Sequence, residues 1–381
     1  MRLAIIRQRY TPYGGAERFL ERALAALRLD DLDVTVIARD WPEDAQSSYQ
    51  RILLKSFSIG RTWRDAAFVR AACAAVAAGK FDLVQSHERL ACCDIFRAGD
   101  GVHKEWLIQR ARRRGRSAAW LDRASLFHHR ILAAERTMFA SPRLKTVICN
   151  SSMVRDEIVR HYGVAQERLV VIPNAVDGSQ FHPDLRAQHR VAMRRQLGIE
   201  AEQPLFLFVG SGFERKGVDL LLDVWPEIDA TLIVVGHDRS LADYQRRATK
   251  LGKRMRFVGP QQDVRPWYGM ADAFVLPTLY DPLPNAALEA LACGLPVLTS
   301  RTSGAAEWIQ PGVNGEVVDA LDQAGWLEIL NGWRDPARCQ SAAVSAVEVV
   351  RELSPNAIQS RFRDLYSRLL KQSALPALQI R

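Results

Sequence analysis

Several things are scarce or missing in this 381-residue chain, and each absence narrows its class. No run of about 18 uncharged apolar residues occurs, so no hydrophobic transmembrane helix is expected. The opening MRLAIIRQRY is too short and too charged for a secretory leader and reads as a first strand. The six cysteines (Cys73, Cys92, Cys93, Cys149, Cys293, Cys339) are scattered and form no CxxC pair. Reduced thiols in a cytoplasmic protein are therefore expected, with Cys92 and Cys93 as core packing. Neither GxGxxG nor GxxxxGK[ST] is present, which argues against a dinucleotide fingerprint and excludes a P-loop. No repeat or low-complexity tract stands out.

Acidic residues are also in deficit, 43 against 52 Lys and Arg, giving a net charge of +9. The excess is local. Residues 103–136 hold nine Lys or Arg against three acids, a net of +6. Such a field favours an anionic partner. Trp106, Leu107, Ile108, Trp120, Leu121, Leu126 and Phe127 lie among these cations. Cations interleaved with apolar residues suit a membrane surface rich in anionic lipid. Nucleic acid would use the same charges, but no nucleic-acid motif accompanies them. A solvated helix face is the third reading.

What is present is the composition of a folded chain, 48% hydrophobic and 25% charged. Its length predicts two domains. Short apolar runs read as strands at residues 3–6, 34–38, 51–56, 81–85, 145–149 and 169–172, with helical periodicity at 16–27 and 63–78. A polar, basic stretch at 183–203 leads into a second series, at 205–209, 231–235, 255–258, 273–276, 295–299 and 315–318. Strands alternating with helices predict parallel sheets covered on both faces. The fold class is thus α/β, with two doubly wound domains. Their boundaries are placed at 1–172 and 173–354, with a last helix at 355–372 packing back on the first. Ligands in such sheets sit beyond the C-terminal strand ends.

Three constellations carry chemistry. Gly14-Gly15 follows the first strand; it serves a close backbone approach to a ligand or a simple turn. VGSGFERKGVDLLL, residues 209–222, places Arg215 and Lys216 just before a helix. Two cations at a helix start oppose its dipole, a conflict that a bound phosphate would relieve. The third is residues 273–315, where a strand runs into a loop with Asp281 and then a helix with Glu289. Both carboxylates can accept hydrogen bonds from hydroxyls, and amides at Leu283, Asn285 and Ala286 can serve phosphate or sugar; Pro282 and Pro284 supply none. A turn and an exposed helix face explain the same residues without a ligand.

Taken together, these segments resemble the retaining family-4 glycosyltransferases of the two-domain GT-B fold. DPLPNAALEALACGLPVL is similar to the family's Glu-x7-Glu segment, and GGAER, VIPNAVDGSQF and TSGAAEWIQPGVNG look like further family segments in family order. Within the family the nearest resemblance is to the lipopolysaccharide core glucosyltransferases, which share segments like FERKGVD and the basic region after DIFRAGDGVHKEW. The resemblance implies two Rossmann-like domains facing across a cleft. It implies that Arg215 and Lys216 hold the donor diphosphate, Glu289 the ribose, and position 281 the transferred sugar. Gly14 and Gly15 would approach the diphosphate, Leu283, Asn285 and Ala286 would add amides, and Gly259 would border the base. His87, followed by Glu88, is similar to the family's His-Glu at the sugar site. Asp281 departs from the pattern, in which Glu is usual; one methylene fewer puts the sugar's identity in question.

Asp100, His103, Lys104, Arg112, Arg113 and Arg114 are candidates for the acceptor or membrane side, with a surface-loop histidine as the other reading of His103. Asp31-Leu32-Asp33 spells the Asp-x-Asp of metal-dependent transferases of another fold, but here it leads into a strand and reads as turn chemistry. No metal and no cofactor are expected. The expected enzyme moves glucose or an N-acetylhexosamine from a UDP-sugar to an anionic, lipid-linked lipopolysaccharide core acceptor at the inner face of the cytoplasmic membrane. Alternatives are transfer to an exopolysaccharide lipid carrier or small molecule, and, more remotely, a non-catalytic basic protein that binds nucleic acid.

Overall fold

The computed structural model of the chain describes residues 2–9, 33–41, 49–54 and 61–374. It divides into two compact units. The first comprises Met1–Lys104, Arg116–Asn174 and Pro355–Arg381; the second comprises Glu105–Gly115 and Ala175–Ser354. The segment Glu105–Gly115 thus groups with the second unit, where the sequence placed it in the first.

The first unit is built on a seven-stranded sheet: β1 (Arg2–Ile6), β2 (Asp33–Ala38), β3 (Gln50–Leu53), β4 (Leu83–Ser86), β5 (Ile95–Ala98), β6 (Thr146–Cys149) and β7 (Leu169–Val171). The order is β3-β2-β1-β4-β5-β6-β7, and every pairing is parallel. Strands buried on both faces read as continuous apolar runs, and β1 and β6 do so. β5 does not, because Arg97 interrupts it. That buried arginine is why the pattern missed this strand.

The second unit has six parallel strands: β8 (Leu205–Val209), β9 (Thr231–Val235), β10 (Met255–Gly259), β11 (Ala273–Leu276), β12 (Val297–Ser300) and β13 (Gly315–Val318). Their order is β10-β9-β8-β11-β12-β13, in parallel throughout. Both sheets therefore reverse strand order once, between β1 and β4 and between β8 and β11. In doubly wound sheets that reversal opens a crevice at the carboxyl ends of the two strands. Among the described residues, His87 follows β4, Arg215 and Lys216 follow β8, and Asp281 follows β11.

The polar stretch leading into the second unit is a helix, Leu185–Leu197, fastened by a buried acid. Asp272 accepts from Arg194 (2.6 Å), pairs with Arg190 (2.7 Å) and Arg186 (3.4 Å), and caps the Leu205 amide at 3.0 Å. Hydrophobic patterning cannot see such a dock, because its partners are charged.

The cysteine expectation is corrected at one pair. Cys73, on the helix Arg61–Ala78, is bonded to Cys92 with Cα atoms 5.7 Å apart. That separation lies within the range a disulfide spans, and a spacing of 19 residues offered no sign of it. Cys93, Cys149, Cys293 and Cys339 are free and buried. No described helix is long and apolar enough to cross a membrane.

Candidate active site

The loop after β8 is built around Gly217. Its φ is +82°, and a Cβ there would lie 1.9 Å from the Pro277 carbonyl oxygen. Only glycine allows that approach, and it brings the loop against the end of β11. The Leu279 amide (2.8 Å) and the Thr278 hydroxyl (2.9 Å) both donate to the Arg215 carbonyl. Ser300 and Thr302 hydroxyls in turn donate to the Thr278 carbonyl, at 2.5 and 3.1 Å. Arg215 and Lys216 end a four-residue helix, Phe213–Lys216, and stand directly before the next, Val218–Val224, whose N-cap is Gly217. The two cations thus precede a helix start as the sequence suggests, and the Asp281 carboxylate is the anion that meets them.

Asp281 is held as an extra parallel rung beside Ser303. Its amide donates to Thr302 (3.0 Å), and its carbonyl accepts from Gly304 (2.8 Å). Its buried carboxylate accepts from Arg215 Nη1 at 3.1 Å and from Lys216 Nζ. Arg215 Nη1 also donates to the Tyr280 carbonyl at 3.1 Å. Burial pushes the Asp281 carboxyl up, but Lys216 and Arg215 outweigh it and hold the group below the usual carboxylate range. Position 281 thus supplies one negative charge between the two cations that the family resemblance assigns to a diphosphate, leaving the cluster a net positive charge.

Four residues on, the helix Asn285–Ala292 begins at Pro284 with no side chain capping its N-terminus. Leu283 is buried, Asn285 and Ala286 are half-buried, and Glu289 is half-buried on the second turn. Tyr268, on the helix Arg265–Met270, donates its hydroxyl toward Glu289 Oε2 (3.0 Å) and the Ala286 carbonyl (3.1 Å). Tyr268 fixes a carboxylate that the sequence singled out without a partner. Gly259 ends β10 with φ +73° and accepts from the Gly236 amide at 3.0 Å.

In the first unit His87 follows β4, and its amide donates to the Ile6 carbonyl at 3.0 Å. Burial, then Arg7 and Arg97, lower its basicity well below the ordinary histidine value, so the ring is neutral at pH 7. Glu88 pairs with Arg7 at 3.7 Å. Asp100 is exposed in the turn after β5, and Lys104 is exposed in the first turn of the helix His103–Ala124. His103 Nε2 lies 3.0 Å from His128 Nδ1, and its amide donates to Glu135 at 2.8 Å. The buried Glu135 also accepts from Arg89 (2.9 Å) and Tyr162 (2.5 Å), a hub no motif announced. Gly14 and Gly15 lie outside the described residues.

The three arginines expected at an anionic lipid surface are instead paired with carboxylates of the second unit. Arg112 pairs with Asp319 (2.9 Å), Arg113 with Asp223 (3.5 Å) and Arg114 with Glu214 (2.5 Å). Sequence counting registers the cations locally but not acids 100 to 207 residues away. A cavity of about 170 Å³ is lined by Arg112, Arg113, Gly217, Leu220, Leu279 and Leu321 among others.

Comparison with known proteins supplies the class. Residues 13–180 match the family described as Glycosyltransferase Family 4, and residues 203–332 match Glycosyl transferases group 1. A probable transglycosylase of Burkholderia thailandensis is 30% identical over 305 residues, covering 78% of this chain and 77% of that one. The chain belongs to family 4 of the glycosyltransferases and has the GT-B type of domain construction. Lipopolysaccharide glucosyltransferase WaaG of Escherichia coli K12 is 24% identical over 84% of this chain and 85% of its own. A crystal structure of WaaG superposes with a TM-score of 0.81 at 23% identity, over 95% of this chain and 99% of that one. HepE of Anabaena, solved with UDP and glucose, gives 0.70 at 20% identity over 96% and 99%. A D-inositol 3-phosphate glycosyltransferase of Xylanimonas cellulosilytica is 29% identical over 64% of this chain; the match spans 61% of that relative's length.

Proposed function

We propose that this glycosyltransferase moves a hexose, glucose or an N-acetylhexosamine, from a UDP-sugar to a lipopolysaccharide core acceptor with retention of anomeric configuration. The observation that carries the reading is the Arg215–Lys216–Asp281 cluster at the β8/β11 reversal. Phosphate is the ligand class that two clustered cations at such a crevice accept. Likeness to WaaG supports the acceptor, and the UDP and glucose of HepE support the donor.

In this reading Arg215 and Lys216 hold the diphosphate and stabilise it as it leaves. Glu289, oriented by Tyr268, takes the ribose hydroxyls. Asp281 and the Leu283–Ala286 amides meet the sugar, and His87 is the further residue this reading assigns to a sugar hydroxyl. The sugar C1–O bond to phosphate breaks, and the acceptor oxygen bonds C1 on the same face. The acceptor proton passes to the leaving phosphate oxygen. Phosphate charge is met by side chains and not by a metal ion. Catalysis then rests on positioning and charge stabilisation.

Lys216→Ala tests it in a UDP-sugar hydrolysis assay. Removing one donor aimed at developing charge is expected to slow turnover about 100-fold or more; unchanged turnover sinks the diphosphate role. A thermal-shift screen of nucleotide sugars identifies the donor, since ligand binding stabilises by mass action. The inositol phosphate relative favours a second acceptor, a small phosphorylated polyol. Paired transfer assays with core oligosaccharide and inositol phosphate separate the two.

Association with the inner face of the cytoplasmic membrane is part of the proposal. It now rests on Trp120 and Leu126, which are 67% and 77% exposed, and on exposed Arg130. Vesicle flotation of Trp120→Ala/Leu126→Ala checks it; undiminished binding removes these two from the contact.

A further inference from the structure

Three residues of the first unit form a chain that the reading above does not use. Tyr366 lies on the helix Pro355–Ala374, which returns to the sheet at the end of the sequence. Its hydroxyl donates to Gln85 Oε1 at 2.6 Å. The amide nitrogen of the same Gln85 lies 3.2 Å from His87 Nε2. All three side chains are buried: Gln85 within β4, His87 just beyond it, and Tyr366 on the C-terminal helix.

Hydrogen-bond chemistry gives this chain a direction. Burial raises the Tyr366 phenol far above neutral pH, so the phenol keeps its proton and donates it. An amide offers a donor at one end and an acceptor at the other. With Oε1 occupied by the phenol, Gln85 turns its NH2 toward His87. A ring nitrogen facing an N–H donor must hold a lone pair. His87 Nε2 is therefore unprotonated, and the proton of the neutral ring sits on Nδ1. An imidazolium would set two donors against each other, which agrees with the suppression of the cation by burial, Arg7 and Arg97. Gln85 supplies the ring's only side-chain hydrogen bond among the described residues.

The helix that carries Tyr366 is itself registered. Phe362 lies one turn earlier on the same face, and its ring sits under the Arg97 guanidinium at 5.5 Å. Arg97 Nη2 donates to Asn174 Oδ1 at 2.8 Å. The phenol position is thus set by packing that is independent of Gln85.

We propose that Tyr366 and Gln85 are positioning residues that lock His87 as its neutral Nδ1–H tautomer, so that the ring presents an N–H donor to a hydroxyl of the bound sugar. The last step rests on the reading of His87 as a sugar-site residue; the lock itself does not. Tyr366 and Gln85 need not touch substrate. They decide which nitrogen of His87 carries the proton and keep that choice from fluctuating.

The test is 15N NMR of the full chain labelled at histidine, with the His87 signals assigned by their loss in His87→Asn. The wild type is expected to show protonated Nδ1 and unprotonated Nε2 at pH 7. Gln85→Glu places a carboxylate at Nε2 and is expected to move the proton there. Tyr366→Phe frees the amide to turn and is expected to give a mixture. In turnover, Tyr366→Phe is expected to lower kcat about 10-fold, the effect of one misplaced hydrogen bond. KM for the UDP-sugar should change less than about 2-fold, because uniform donor binding is untouched. Protonated Nε2 in the wild type, or a tautomer indifferent to both substitutions, overturns the lock. If the tautomer responds as described while His87→Asn turns over at the wild-type rate, the lock stands and the sugar-site role of His87 fails. If His87→Asn is inactive and the tautomer ignores Gln85→Glu, the role stands and the lock fails.

Discussion

Asp281 faces two demands at once. Its carboxylate is bonded to Arg215 and Lys216, the pair assigned to a donor diphosphate. A phosphate arriving there competes with it for the same N–H groups. Asp281→Asn is therefore expected to raise UDP affinity while lowering the stability of the unliganded protein by about 3 kcal/mol, the scale for breaking a buried pair. The measurement is the UDP-induced rise in Tm, larger in the variant than in the wild type. An equal or smaller rise means that the carboxylate does not compete. The pH dependence has a definite sign. The folded carboxyl is held below its ordinary value, so its contribution is present at neutral pH and is lost as pH falls below about 4, through the lowered folded value. Asp281→Asn lacks that acid limb.

At the scale of elements, two features place these residues. The first is the close approach at Gly217. Its Cβ-free backbone at φ +82° lies against Pro277, and Leu279 and Thr278 bond to the adjoining carbonyl. Gly217→Ala combines left-handed backbone strain with a clash against main chain. It is expected to cost more than about 2 kcal/mol and to weaken donor binding through a displaced Lys216. A variant with wild-type Tm and UDP affinity would show that the two loops can part freely. The second is the segment Glu105–Gly115, fixed to the second unit by three arginine–carboxylate pairs. All six side chains are between 32 and 41% exposed, so solvent screens them. Each pair is worth about 0.2–1 kcal/mol. Replacing all three arginines by Gln is expected to lower Tm modestly at low salt and hardly at all at 1 M salt, where screening acts within about 3 Å. A salt-independent loss points to packing and not to charge.

At the scale of the molecule, the chain closes its first unit last. Ile358, Phe362, Leu365, Tyr366 and Leu369 are all buried along one face of the C-terminal helix. Their spacing is that of an amphipathic helix packed on a core. Each is worth about 1.5–3 kcal/mol by burial, so a chain stopped before Pro355 loses a sum comparable to a typical domain's whole margin of stability. The first unit is expected to unfold in that truncation while the second, which ends at Ser354, keeps its cooperative transition. Calorimetry separates them, and retention of both transitions would deny the helix its structural role.

How much of this was legible beforehand follows from the range over which each signal acts. Apolar runs with helices between them are local, so two parallel α/β units, the loop after β8 and the helix bearing Glu289 could be read along the chain. The family resemblance added roles for Arg215, Lys216 and Glu289 on the same local segments. β5 was hidden because a buried arginine breaks its pattern. Pairings at long separation were not readable: Asp281 with Lys216, Arg114 with Glu214, Cys73 with Cys92, Tyr366 with Gln85. Each depends on partners that come together only after the sheets form. Which residues stand at the strand ends was thus written in the sequence, because residue type and spacing are local properties. Which charges are neutralised, which carboxylate is oriented and which histidine nitrogen holds its proton were decided by tertiary structure alone, because burial and hydrogen bonding belong to neighbours in space.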